Sequence, residues 1–310
     1  MVQLRHRLMV LILLLLGLNG CAGNENAVVT SVVMIDGEEV VVTRVIQTTV
    51  EVPVNPLPEV PVITSGRDPV ALNVAFVDSR DAFTLDPQQA RDDNTIMLID
   101  NLFAGLTQHN AETGAIEPEI AGSWQISADG LTWLFYLRPD FFWVDGNQNN
   151  GDAVLPLRPV EAQDFVFALR RACDSRTQMP DAFLFFIIQG CQQAYSKLEP
   201  TEADLEGIGV TVPEPYVLQV QLTRPANYFL AMTSMWYMRP LPREQVQSLA
   251  EGWALPENII TNGPFFWGEQ SLPGTRLILT RNPAWPLPAL GNVDVVNLFQ
   301  FENRTDAYAL

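Results

Sequence analysis

Lysine is almost absent from this chain: Lys197 is the only one in 310 residues, and arginine supplies nearly all the other positive charge. Lys and Arg together number 18 against 36 Asp and Glu, which leaves a formal net charge of −18. A nucleic-acid binder needs a basic footprint to release counterions, so nucleic acid is excluded as a partner. The acidity itself reads two ways: a solvated surface that resists sticking to anionic surfaces, or a field that favours cationic groups such as peptide amines. Histidine is nearly as scarce, with only His6 and His109. General acid–base work by His and a His-rich metal site have little to rest on. No G-x-S-x-G elbow, Walker loop, G-x-G-x-x-G, H-E-x-x-H or Cys-x-x-Cys occurs. Asp92-Asp93 and Glu38-Glu39 are neighbours in sequence and read as solvated surface. No enzyme is expected, and no cofactor or metal is implied.

Long apolar runs are limited to one. Residues 8–18 are almost unbroken apolar, too short for a bilayer span of roughly 20 residues, and they follow Arg5, His6 and Arg7. That is the layout of a secretory signal, assigned to residues 1–20. It closes on Leu18-Asn19-Gly20-Cys21, which resembles the lipobox of bacterial lipoproteins, where the Cys is lipidated and becomes the mature N-terminus. Asn19 departs from the usual residue there, and a plain signal peptide cut at small residues is the alternative. Acyl chains at Cys21 would anchor the chain, each buried methylene contributing roughly 0.8 kcal/mol. Of the remaining cysteines, Cys173 and Cys191 stand 18 positions apart. Outside the cytoplasm they read as a disulfide, or else as two buried thiols.

What is present is globular: 47% apolar and 17% charged residues. Residues 21–67 are rich in Val, Thr, Glu and Pro and read as a flexible tether, with a small hairpin in 28–33 and 39–45 as the alternative. The globular part is assigned to 68–310. Strands are predicted at Ala71–Val77, 131–138, 208–212, 216–222, Phe265–Trp267, 276–280 and 293–299, and helices at 95–106, 160–172, 227–235 and 243–251. Strands and helices mix without strict alternation, which gives an α/β class with a mixed, α+β-like sheet. No internal repeat is found.

Several segments occur in order across 84–310: TLDPQQARDDNT, NLFAGLTQHNAETGAIEPEIAGSWQISADGLTWLFYLRPDFFWVDG, RPVEAQDFVFALRRACDSRTQMPDA, VLQVQLTRPANYFLAMTSMWYMRPLPRE, ENIITNGPFFWGE and LILTRNPAWP. Together they resemble the peptide-importer branch of the solute-binding proteins, with its oligopeptide-, dipeptide- and nickel-binding members. Most of their glycines and tryptophans read as scaffold, and Trp285 as core. Ligand contact is expected at Asn262, Gly263 and Phe265, because the matching family segment lies in the cleft; a tight Gly-Pro turn capping a strand is the alternative. Arg91 and Asp93 follow the Leu-Asp-Pro step where relatives touch the first residues of the peptide, Asp93 as a partner for an α-ammonium; a solvated loop is the alternative. Asp181 is assigned to the ligand site as well, at a place where relatives can carry an aromatic that packs on ligand; the Asp departs from that pattern.

The resemblance implies two α/β lobes closing over a peptide held by strand-like backbone pairing. It implies a lipid-anchored extracytoplasmic protein, on the outer face of the membrane or in the periplasm, that hands oligopeptides to an ABC permease with ATPase subunits. Nickel chelates, sugars or opines as cargo, or a surface lipoprotein for adhesion or signalling, are the alternatives. Family members are longer, and residues 302–310 read as the start of a helix cut short, with Thr305 as N-cap. The expectation is therefore a first lobe of a periplasmic-binding-protein-like fold, incomplete at its C-terminus, that binds peptide weakly or not at all.

Overall fold

The computed structural model describes residues 26–35, 38–47, 68–77, 84–146, 156–268, 276–288 and 291–301. The chain divides into two units, 1–59 and 60–310. In the first, β1 (Asn26–Ile35) and β2 (Glu38–Gln47) pair antiparallel, from Asn26↔Gln47 to Ile35↔Glu38. Their Val and Thr content suits a pleated ladder. The described part of the expected tether is thus a hairpin, while residues 48–67, the signal segment and Cys21 lie outside the described residues.

The second unit opens with β3 (Ala71–Val77) and α1 (Asp93–Leu102). Asp92 caps α1, its Oδ1 accepting from Thr95 N at 2.9 Å, which satisfies one donor left over by the first turn. Thr95, Leu98, Ile99 and Leu102 form the buried face. The apolar spacing predicts a helix to Leu106, yet it stops at Leu102. Tertiary partners take the groups of the next turn: Ala104 N donates to Asn262 Oδ1, Gly105 N donates to Glu119 Oε2, and Leu102 O accepts from Gly263 N.

Then come β4 (Thr107–His109), β5 (Ile116–Pro118), β6 (Ala121–Ile126), β7 (Thr132–Leu137), β8 (Phe142–Val144) and β9 (Pro156–Pro159). Three helices follow, α2 (Ala162–Ala172), α3 (Cys191–Tyr195) and α4 (Glu202–Glu206). The remainder is β10 (Val210–Glu214), β11 (Val217–Gln221), α5 (Phe229–Met232), α6 (Arg243–Leu249), β12 (Phe265–Trp267), β13 (Arg276–Arg281) and β14 (Val295–Phe301). The helix expected over 227–235 is shorter than its spacing suggests and passes into a 3-10 turn at Trp236–Met238.

Two four-stranded sheets organise this unit. One, in the order β10-β11-β7-β6, is antiparallel throughout. In β7 the alternation is realised as read: Trp133, Phe135 and Leu137 are buried and the residues between them half-buried. Trp133 meets Phe229 of α5 edge-on, centroids 5.3 Å apart. The other sheet, β12-β13-β14-β3, is mixed, with β3 running parallel to β14 from Val295↔Ala71 to Phe301↔Val77. A parallel pair needs a crossover, and here the whole intervening chain supplies it.

Helix α2 lies against β10 and β11. Its Asp164 is fully buried and is satisfied four times, by both Arg158 Nη atoms (2.7 and 2.8 Å), Trp143 Nε1 (3.1 Å) and Glu161 N (3.0 Å). A buried carboxylate is tolerated only with such pairing. Cys173, at the end of α2, is disulfide-bonded to Cys191, the first residue of α3.

Candidate functional site

A groove of about 600 Å³ is lined by Leu72 of β3, Val296 of β14, Arg281 of β13 and Phe265 of β12, one residue from each strand of the mixed sheet. Trp285 and Leu287 continue its apolar wall, and Asn101, Gln108, Asn110, Glu117 and Glu119 supply a polar edge. This is the mixture a binding cleft requires: apolar surface for area, and a few polar groups for orientation.

The aromatic wall is built by one Asn-Pro turn. Asn282 N donates to Pro264 O (2.8 Å), Asn282 Nδ2 donates to Gly263 O (2.8 Å), and Asn282 Oδ1 accepts from Ala284 N (2.9 Å). The turn is thereby clamped to the 263–264 segment, and Trp285 N donates to Asn282 O at 3.2 Å. Trp285 is half-buried, packing edge-on against Phe141 with centroids 5.2 Å apart while it lines the groove. It is therefore wall as well as core. Arg281 sits over the Phe265 ring at 5.6 Å, pairs with Asp294 (3.7 Å) and donates to the carbonyls of Gly291 and Val293.

The polar edge is backed by a buried cation. Arg239 is 5% exposed; its Nη1 donates to Glu119 (3.2 Å) and its Nη2 to Asp100 (3.0 Å). Glu119 Oε2 also accepts from Gly105 N at 2.6 Å. Burial pushes the Glu119 carboxyl above its usual range, and the Arg239 charge opposes that rise. Glu117 accepts from Asn110 Nδ2 at 2.8 Å. Sequence reading missed Glu119 and Arg239. Arg239 is a lone charge within Met235-Trp236-Tyr237-Met238-Arg239-Pro240-Leu241, and such a charge in an apolar run signals a buried partner.

The residues expected to touch ligand do not share one cavity. Phe265 lines the groove. Asn262 and Gly263 lie buried at the end of α1, where they hold Leu102 and Ala104. The Nδ2 of Asn262 has no hydrogen-bond partner among the described residues. Arg91 is exposed in a different concavity, beside Arg171, Arg176 and Trp253. Asp93 is exposed in the first turn of α1. Asp181 precedes the 3-10 turn Ala182–Ile187, close enough to Tyr237 to help burial raise that phenol's pKa. Among the described residues no group of three or more His, Cys, Asp or Glu could hold a metal.

The model of the bacterial extracellular solute-binding proteins, family 5 (middle region), matches residues 115–310. The periplasmic murein peptide-binding protein MppA of Escherichia coli is 31% identical over 202 residues, covering 65% of this chain and 35% of that protein. The probable deoxycholate-binding periplasmic protein YgiS of the same organism is 28% identical over 205 residues, covering 66% and 36%. The chain thus spans about a third of the length of these curated relatives. Among solved structures, the E. coli murein tripeptide-binding protein superposes with a TM-score of 0.65 at 28% identity, covering 78% of this chain and 45% of that one. Haemophilus influenzae OppA in complex with RPPGFSPFR gives 0.65 at 25% identity, covering 78% and 44%. The mixed α/β architecture is thus that of the OppA-like binding proteins, and the chain belongs to family 5 of the bacterial extracellular solute-binding proteins.

Proposed function

We propose that this chain takes part in capturing oligopeptides outside the cytoplasmic membrane, as a lipoprotein anchored through Cys21, for delivery to an ABC permease and its ATPase subunits. The observation that carries the reading is the groove on the mixed sheet, whose lining combines Trp285 and Phe265 with the amide and carboxylate groups of Gln108, Asn110 and Glu117. A peptide offers both kinds of surface at once, apolar side chains for the wall and backbone amides for the edge. Relatives named for murein peptide and oligopeptide binding support the same cargo.

The groove is open to solvent, so a peptide lying in it is only partly covered. Most of its surface stays in water, so the affinity of the chain alone is weak, on the order of 100 µM or poorer. Calorimetry of the full chain with a set of tripeptides, followed in parallel by indole fluorescence, tests the reading. Saturable binding in that range is expected, weakened by Trp285→Ala. No saturation up to about 10 mM would contradict peptide capture, and sub-micromolar affinity would contradict partial coverage in an open groove.

A further inference from the structure

Strand β1 is an edge without protection. It is paired on one side only: β1 and β2 make a two-stranded sheet of their own, so among the described residues the outer row of amide and carbonyl groups along Asn26–Ile35 has no ladder partner. Native sheets guard such an edge with charge, proline, a bulge or short length. β1 has none of these. It is 10 residues long, contains no Asp, Glu, Lys, Arg, Pro or Gly, and runs from Asn26↔Gln47 to Ile35↔Glu38 without a break in register. β2 differs, because Glu38, Glu39 and Arg44 lie in it and make its edge the charged one.

A hairpin of two strands is marginal by itself in water, and independent stability takes three strands or more. By register, apolar residues fall on both faces, Val28↔Val45 and Val32↔Val41 on one, Ala27↔Ile46 and Val33↔Val40 on the other. The adjoining chain is poorly suited to supply a third strand. Downstream, Pro53, Pro56, Pro58 and Pro61 each lack the amide that a ladder uses. Upstream, the secretory-signal reading takes residues 1–20 and leaves only Cys21 to Glu25 before the strand. The strand that matches β1 in length and composition is β1 of a second copy.

We propose that β1 is a self-association edge, at which two copies of this chain join their β1 strands antiparallel about a two-fold axis into a sheet of order β2-β1-β1-β2. Such a contact closes on itself: each copy gives its uncharged edge to the other, and the charged β2 edges are left outermost, where they oppose further addition. Each copy carries −18, so the pairing works against repulsion and strengthens as salt screens it, the opposite of a contact held by ion pairs. The contact lies in the 1–59 unit and does not depend on peptide capture.

Sedimentation velocity of the full chain between about 1 and 200 µM tests the proposal, on wild type, Val32→Lys and Val41→Lys. Val32 and Val41 are cross-strand partners on one face, so a lysine at either costs the hairpin alike, while only Val32 lies on the joining strand. A monomer–dimer equilibrium is expected, tighter at high salt, weakened about tenfold or more by Val32→Lys and about twofold or less by Val41→Lys. An unchanged melting temperature checks that both substitutions leave the 60–310 unit intact. A chain that stays monomeric throughout overturns the proposal, as does a dimer that salt dissociates. A dimer indifferent to Val32→Lys overturns it too, because the contact then lies elsewhere, for instance in the apolar run 8–18. Equal loss in the two variants does the same, since the hairpins would then meet through a face and not through the β1 edge.

Discussion

Gly263 has no room for a side chain. A Cβ there would stand 2.5 Å from Leu102 C and 2.7 Å from Asn101 O, both backbone atoms that cannot swing aside. Gly263→Ala should therefore destabilise by ~2 kcal/mol, read as a shift of the urea midpoint at constant slope. Glu119 makes a prediction about pH. Its folded-state pKa lies above the unfolded value of roughly 4.3, chiefly because burial penalises the charged form. A raised carboxyl pKa contributes stability that is complete below the unfolded pKa and is lost as pH rises through the folded pKa. Glu119→Gln cannot ionise and escapes that loss. Its melting temperature relative to wild type should rise as pH increases from 4; a difference that falls over that range would show that the Arg239 pair outweighs burial.

At the scale of elements, local pattern and distant contact divide the work. The strand β7 was legible because its alternation is written within six residues, and α2 because its apolar face and its acidic start recur at helical spacing. The end of α1 was not legible. It is set by Asn262 and Gly263, more than 150 positions away, which claim the carbonyl and amide groups the helix would otherwise use. The short strands β4, β5, β8 and β9 escaped for a related reason: each is three or four residues long, too brief to display a period, and each exists through its partner. The Cys173–Cys191 bond joins α2 to α3 across a loop of 18 positions. On the chain-entropy account, replacing both with Ala should lower the unfolding free energy by about 3 kcal/mol; equilibrium denaturation under non-reducing conditions measures it. A loss well below 1 kcal/mol would mean that the pair acts as little more than buried apolar volume.

Across the whole molecule, the ordered motifs lead to the right family, yet they do not reveal how the site is assembled. Asn262, Gly263 and Phe265 are consecutive or nearly so, but two are structural supports and one faces the groove. The Glu119–Arg239 pair spans 120 positions, and no local pattern links its ends. Motif position therefore did not distinguish supports from surface; only the fold did. The central claim is that peptide rests on the wall formed by Trp285, Phe265 and Leu72. Photo-crosslinking settles where a peptide lies: a short peptide carrying benzoylphenylalanine is irradiated with the full chain and the attached residue is read by mass spectrometry. The account predicts attachment at Leu72, Phe265, Trp285 or Leu287, suppressed by excess unlabelled peptide. Attachment confined to the exposed Phe183 and Tyr228 patch, or to the Trp253 concavity, would contradict it.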